Sequence, residues 1–193
     1  MSKEIANIPC PCEVEVEKYL RKWETLGNYV LQEKAIVEIF AERPTNQIIE
    51  DVLIKVCLLN DFYSTNILDT FRVAKHILNL DIDKRLKAGD LGLINDIAIV
   101  TMKNGKSRNF YSFASKYCAH HQADVYAIFD SFVQKDLLYF AKKDKFCEFK
   151  RDDLKNYKEF SRILREFIKF YNLKRYSLRQ IDQYLWLLGK EYL

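Results

Sequence analysis

Only five glycines and three prolines interrupt the 193 residues, and the prolines (Pro9, Pro11 and Pro44) all fall in the first quarter. These are the residues that most often end regular elements. From Thr45 onward, little in the chain stops one long helix from following another. Hydrophobic spacing then places the helices. Val16, Tyr19, Leu20, Trp23 and Leu26 share one helical face from Glu13, and Gly27 divides that segment from a second helix over Tyr29 to Phe40. Asn46 to Leu59 and Asn66 to Asn79 form a following pair, with Ile48, Val52, Ile54, Val56 and Leu59 on the first and Ile67, Phe71, Ala74, Ile77 and Leu78 on the second.

The remainder reads the same way. A short helix falls within Asp81 to Gly92 and another over Leu93 to Met102, whose IAIV run has the look of a strand. MKNGKSRN (102–109) is the clearest loop, and helices follow at 110–120, 131–143, 152–171 and 177–190, the last opened by Ser177 as a cap. No strand pattern persists, so the expectation is an all-α protein of nine to eleven helices. Hydrophobic residues make up 49% and aromatics 14%, which places the chain among globular proteins. A chain of this length removes roughly 70% of its unfolded surface from water.

Several function classes drop out. No run approaches the ~20 apolar residues that span a bilayer, so no membrane partner is expected. The opening MSKEIANIPCPCEVEVEKYL carries acids where a secretion signal needs an apolar core. Five cysteines, an odd number, fit free thiols in a reducing cytoplasm. Lys and Arg outnumber Asp and Glu by 31 to 27, a +4 balance that permits a polyanionic partner without requiring one. The two common phosphate-cradling glycine motifs are missing, and no cofactor is expected. Cys118, His120 and His121 stand close together, with Cys10 and Cys12 elsewhere, but C-x-C and C-x-H-H do not match zinc spacings. No metal is expected.

Two features point to chemistry. In KNGKSRN, Lys103, Lys106 and Arg108 surround Gly105 just before a helix. Cations beside free helix-start amides make a phosphate site; a solvated turn is the plainer reading. Further on, YAIFDSFV places Asp130 between apolar pairs, as a cap of the helix 131–143, a buried ion partner or a catalytic group; cap and catalytic group are compatible, since a caught carboxylate is also a pre-positioned one.

The order of these parts resembles the helix-hairpin-helix DNA glycosylase superfamily. A basic loop, the FYSFASKYC helix, a linker and an apolar–Asp–x–x–Val helix start follow one another as they do there. NQIIEDVLIKVCLLNDFYSTNILDTFRVAKHIL is similar to the superfamily's early helix pair. The resemblance implies a two-lobed helical bundle forming one compact unit over 1–193. Residues 45–140 form the helix-hairpin-helix-like core, and 1–44 and 141–193 complete the second lobe. It implies duplex DNA with a damaged base as partner, Lys103, Gly105, Lys106 and Arg108 gripping the backbone, and Asn60, Phe62 and Tyr63 of LNDFYSTN near an extruded base. Asp130 takes the place of the essential aspartate.

Departures limit the chemistry. The hairpin's usual apolar–Pro–Gly–apolar–Gly turn is reduced to Gly105. Ser112, eighteen residues before Asp130, stands where bifunctional members carry the Schiff-base lysine; a hydroxyl cannot replace an amine there. Lys116 lies one turn on, along the same face. The resemblance therefore implies a monofunctional, Asp-assisted glycosylase, a hydrolase without lyase activity. Two rivals remain: a catalytically inactive helical scaffold that binds nucleic acid, and a protein-interaction module using the aromatic C-terminus. In that terminus Tyr184, Leu185, Leu187 and Leu188 read as core, and Lys174, Arg175 and Arg179 as a basic rim.

Overall fold

A computed structural model describes residues 8–193. In chain order its elements are α1 (Glu13–Glu24), α2 (Gly27–Glu42), α3 (Ile49–Phe62), α4 (Thr70–Asn79), α5 (Asp83–Lys87) and α6 (Leu93–Ala98). Strands β1 (Ile99–Thr101) and β2 (Ser107–Asn109) follow, then α7 (Tyr111–His121), α8 (Ser131–Asp144), a 3-10 turn (Arg151–Lys155), α9 (Tyr157–Phe170) and α10 (Leu178–Tyr192). The protein is mostly helical, and one two-stranded antiparallel sheet is its only sheet among the described residues. No described helix is long and apolar enough to cross a membrane.

Where boundaries differ from the sequence expectation, a side chain or a ladder explains the difference. The segment 93–102 is not one helix. It stops at Ala98, whose carbonyl accepts from Phe110 N at 2.8 Å, and Ile99–Thr101 pairs with Ser107–Asn109. The third helix begins at Ile49 and not at Asn46, because Asn46 N and Nδ2 both donate to Asp83. The fourth begins at Thr70, where Asp69 accepts from Arg72 N; before it, Ser64 and Asn66 take positive φ values of 48° and 58°. The predicted 152–171 helix splits into the 3-10 turn and α9, which Asn156 caps. Phe71 and Ile54, expected on apolar faces, are exposed at 56% and 39%.

The chain divides into two units. One comprises the N-terminal segment to Gly27 together with Phe129–Leu193, and the other is Asn28–Ile128. In the first, α10 packs on α1 and α8 around Val16, Tyr19, Leu137, Phe140, Tyr184 and Leu188. Gly189 sets how closely α8 and α10 approach. A Cβ there would stand 2.8 Å from Phe132 Cβ and 2.9 Å from Asp136 Oδ2, so no side chain larger than hydrogen fits. In the second unit α3 packs on α4 and α7, and α6 on α7, burying Val52, Val56, Val73, Ile77, Ile94 and Phe113.

Candidate nucleic-acid interface

The basic loop is the tip of a β-hairpin. Val100 pairs with Arg108 and Thr101 with Ser107; across the tip, Met102 N donates to Lys106 O and Gly105 N to Met102 O, both at 2.9 Å. Gly105 has φ +75°, a left-handed conformation that glycine adopts without a side-chain penalty. Lys106 N donates to Asn104 Oδ1. The turn thus uses the amides of residues 102, 105 and 106 internally, and what it presents outward is cationic side chains. Lys106 and Arg108 are exposed and have no ion-pair partner among the described residues.

Lys103 turns toward a neighbour the sequence pattern did not bring to it. Along α4, Phe71, Lys75 and Asn79 follow at four-residue steps beside Arg72 and His76, forming one largely polar stripe with Phe71 at its start. This stripe, with Val100, Thr101 and Lys103, lines a cleft of about 460 Å³. Asp69 at its end holds the cations: its Oδ2 lies 3.4 Å from Lys103 Nζ and 3.7 Å from Arg72 Nε. The capping amide of Arg72 first, and Lys103 after it, hold the Asp69 carboxyl below the ordinary carboxylate range. Arg72 Nη1 donates to Thr101 O at 3.3 Å, whereas its buried Nε–H reaches no hydrogen-bond acceptor. His76 Nε2 donates to Asp96 O at 2.9 Å, since a carbonyl can only accept. Lys75 has no ion-pair partner among the described residues, so the cleft carries more positive than negative charge.

The other predicted residues of this unit form a second group. Lys116 is buried, its Nζ donates to Ser112 Oγ at 2.6 Å, and it lies 4.9 Å from the centre of the Tyr63 ring. Tyr63 OH meets His120 Nε2 at 2.9 Å. Asn60 braces the loop after α3: its Oδ1 accepts from Ile67 N and Thr65 Oγ1, and its Nδ2 donates to Ile67 O. Phe62 packs edge-on against Tyr29 and lines an open hollow of about 480 Å³ with Gln32 and Asp61. Lys116 thus touches both Ser112 and Tyr63, with Asn60 acting as a loop brace.

Beside them lies a polar cluster that the sequence reading did not single out. Lys55 is fully buried, and its Nζ donates to Arg43 O, Thr45 O and Asn46 Oδ1 at 2.8–3.0 Å. Tyr117 OH also donates to Asn46 Oδ1, at 2.6 Å. Burial lowers the Lys55 pKa to about 8, against the opposing pull of Asp83 and Asp51. Burial, then Lys55 and His120, lowers that of His121 to about 3, so this imidazole is neutral. With no exposed surface, Lys55 ties the 43–46 turn to α3 and is a structural group.

Asp130 belongs to the other unit. Its Oδ1 accepts from Phe132 N and Val133 N, both at 2.9 Å, opening α8. Six residues on, Asp136 is fully buried, and neither carboxyl oxygen has a hydrogen-bond partner. Burial, followed by the charge on Asp130, raises its pKa to about 9. Cys118 is buried, and among the described residues no three metal-ligating side chains come together.

The chain belongs to the HI_0787_N family, described as an N-terminal domain, whose match spans residues 15–125. A relative in Haemophilus influenzae, an uncharacterised protein, is 51% identical over 144 residues, covering 74% of this chain and 68% of that protein. No solved structure matches the chain. The family match takes in the cleft, the hairpin and the Ser112–Lys116 pair, and it ends before Asp130.

Proposed function

We propose that this protein binds duplex nucleic acid through the β-hairpin and the polar stripe of α4, as a member of the base-excision type that its helix order resembles. One observation carries the reading: cations from two separate elements, Lys103 on the hairpin and Arg72 and Lys75 on α4, line one cleft, beside a turn whose exposed Lys106 and Arg108 have no ion-pair partner among the described residues. Unpaired cations on one face are what a phosphate backbone selects, because binding there releases condensed counterions.

The chemical part of the proposal is hydrolysis of the bond between a damaged base and its sugar. Asp130, fixed by two amides, stabilises positive charge developing on the sugar while water adds and the base departs with a proton. Lyase chemistry is not part of it, since Lys116 is buried against Ser112 and Tyr63 and position 112 carries no amine. A second reading, a non-catalytic binding scaffold, draws on the same cap, because helix initiation alone gives Asp130 sufficient reason to be there.

The test is a panel of duplexes carrying 8-oxoguanine, uracil, alkylated purines or mismatches, assayed for binding across a salt series and for abasic sites. Duplex binding should weaken steeply with salt. Lys106→Gln with Arg108→Gln should flatten the log–log slope by about 2, close to one per lost phosphate contact. Abasic sites on one lesion would establish the glycosylase; binding without any would leave the scaffold. Absence of salt-sensitive binding would end both.

A further inference from the structure

The α4–hairpin cleft holds more than charge. Phe71 is 56% exposed at its edge, and no described aromatic ring packs on it. An exposed phenyl beside three cations offers a face on which an unpaired base can stack. The cleft volume, about 460 Å³, falls in the range of small-molecule sites. Arg72 lines the cleft with a guanidinium whose Nε–H lies 3.7 Å from Asp69 Oδ2 without forming a hydrogen bond to it. Asn79, on the same stripe, adds an amide able to donate and accept at a base edge.

We infer that this cleft binds one unpaired nucleotide of a nucleic-acid strand, its phosphate on Arg72 and Lys103 and its base stacked on Phe71, with Asp69 as the counter-ion it displaces. The inference rests on the nucleic-acid reading above and narrows it to a single-stranded or unpaired element. In the free protein Asp69 Oδ2 occupies the position between the two cations that a phosphate oxygen would take. One consequence follows. Neutralising Asp69 should tighten binding, because the cations lose an internal competitor. Asparagine caps a helix as well as aspartate does, so Asp69→Asn keeps the start of α4 while freeing Lys103.

The experiment uses the full chain and fluorescence anisotropy with labelled decathymidylate, with a blunt duplex of equal length in parallel and thymidine monophosphate as competitor. Expected results are saturable decathymidylate binding, about tenfold weakening by Phe71→Ala with recovery in Phe71→Tyr, and at least threefold tightening by Asp69→Asn. Unchanged thermal melting of each variant keeps these effects at the site. Phe71→Ala binding decathymidylate like the wild type, or Asp69→Asn binding it no more tightly, would overturn the inference. The two readings fail separately. Duplex binding indifferent to Phe71 and Asp69 removes this one and keeps the former; decathymidylate binding with these responses but no duplex binding does the reverse.

Discussion

The two units bury an ionisable side chain in opposite ways. In the 28–128 unit, Lys55 has no exposed surface, and its ammonium meets three oxygens drawn from Arg43, Thr45 and Asn46. In the other unit, Asp136 is equally sealed, and both its oxygens are without a hydrogen bond. A buried ion is tolerable when its protons or lone pairs are satisfied, and otherwise it gives up its charge. Lys55 with a pKa of about 8 stays mostly protonated at neutral pH, and Asp136 with a pKa of about 9 stays neutral. One unit thus holds a solvated-like cation inside a cage of carbonyls; the other holds a carboxylic acid without hydrogen bonds beside Gly189.

The largest expected effect follows from that contrast and is read in the pH dependence of stability. Asp136 has a folded pKa raised from an ordinary value of about 4 to about 9. Between those limits the native state keeps a proton that the unfolded chain has released. Its contribution is therefore complete below about pH 4 and is lost as the pH rises through about 9. Lys55 has the opposite sign. Its folded pKa is lowered from about 10.4 to about 8, so stability is regained as pH climbs through that window. Urea titrations from pH 4 to 10 should show a fall that flattens near pH 8, where the Lys55 gain begins to offset the Asp136 loss. Asp136→Asn should remove most of the fall. A fall of the same steepness in the variant would show that the slot is hydrated and the acid ordinary.

Next in size is Lys55→Met. It removes the donor from three acceptors at once, the part-buried carbonyls of Arg43 and Thr45 and the buried amide oxygen of Asn46. Tyr117 still donates to Asn46, so the loss falls mainly on Arg43 O and Thr45 O. We expect about 3 kcal/mol of destabilisation from unsatisfied buried groups of this kind. The midpoint of urea unfolding reads it. A change under 1 kcal/mol would mean that water enters the cage.

Gly189→Ala probes the other unit. The added methyl would meet Phe132 Cβ at 2.8 Å and the Phe132 backbone at 3.3 Å, and backbone cannot swing away as a flexible side chain does. Overpacking of this kind costs about 2 kcal/mol, partly offset by alanine's better helix propensity. A more stable variant would show that α8 and α10 slide apart with little cost.

The same division explains what could be read from the sequence. In the unit completed by the C-terminal helices, starts are written locally. Asp130, Asn156 and Ser177 each cap the helix that follows them within three residues, and the strong one-sidedness of α9 and α10 is visible as spacing. The starts of α8 and α10 were accordingly legible to within a residue or two, whereas that of α9 was not, because the 3-10 turn Arg151–Lys155 runs helix-like into it. The other unit is written across distance. Asn46 meets Asp83, Tyr117 and His121 across 37 to 75 residues, and no spacing rule announces such a meeting. The hairpin is similar. IVT and SRN are each three residues long and become strands only by pairing. The basic tip was legible as composition, but its partner stripe on α4 was not, because Arg72, Lys75 and His76 look like the solvated side of an ordinary amphipathic helix.

The smallest effect on stability, and the one that separates a cap from a reactive group, belongs to Asp130. Its Oδ1 accepts both amide hydrogens at the start of α8, and an asparagine carbonyl can accept the same two. Asp130→Asn should therefore change stability by only a few tenths of a kcal/mol, whereas Asp130→Ala, with no acceptor, should cost about 1 kcal/mol. Asparagine also withdraws the negative charge that lies next to Asp136, so the acid at 136 should titrate lower in this variant, and the alkaline end of the stability curve should shift with it. If Asp130 only starts a helix, the asparagine protein should match the wild type in every nucleic-acid assay. If its charge supports a cationic sugar, base release should disappear while duplex affinity and urea midpoint stay where they were, a combination that loss of structure cannot produce.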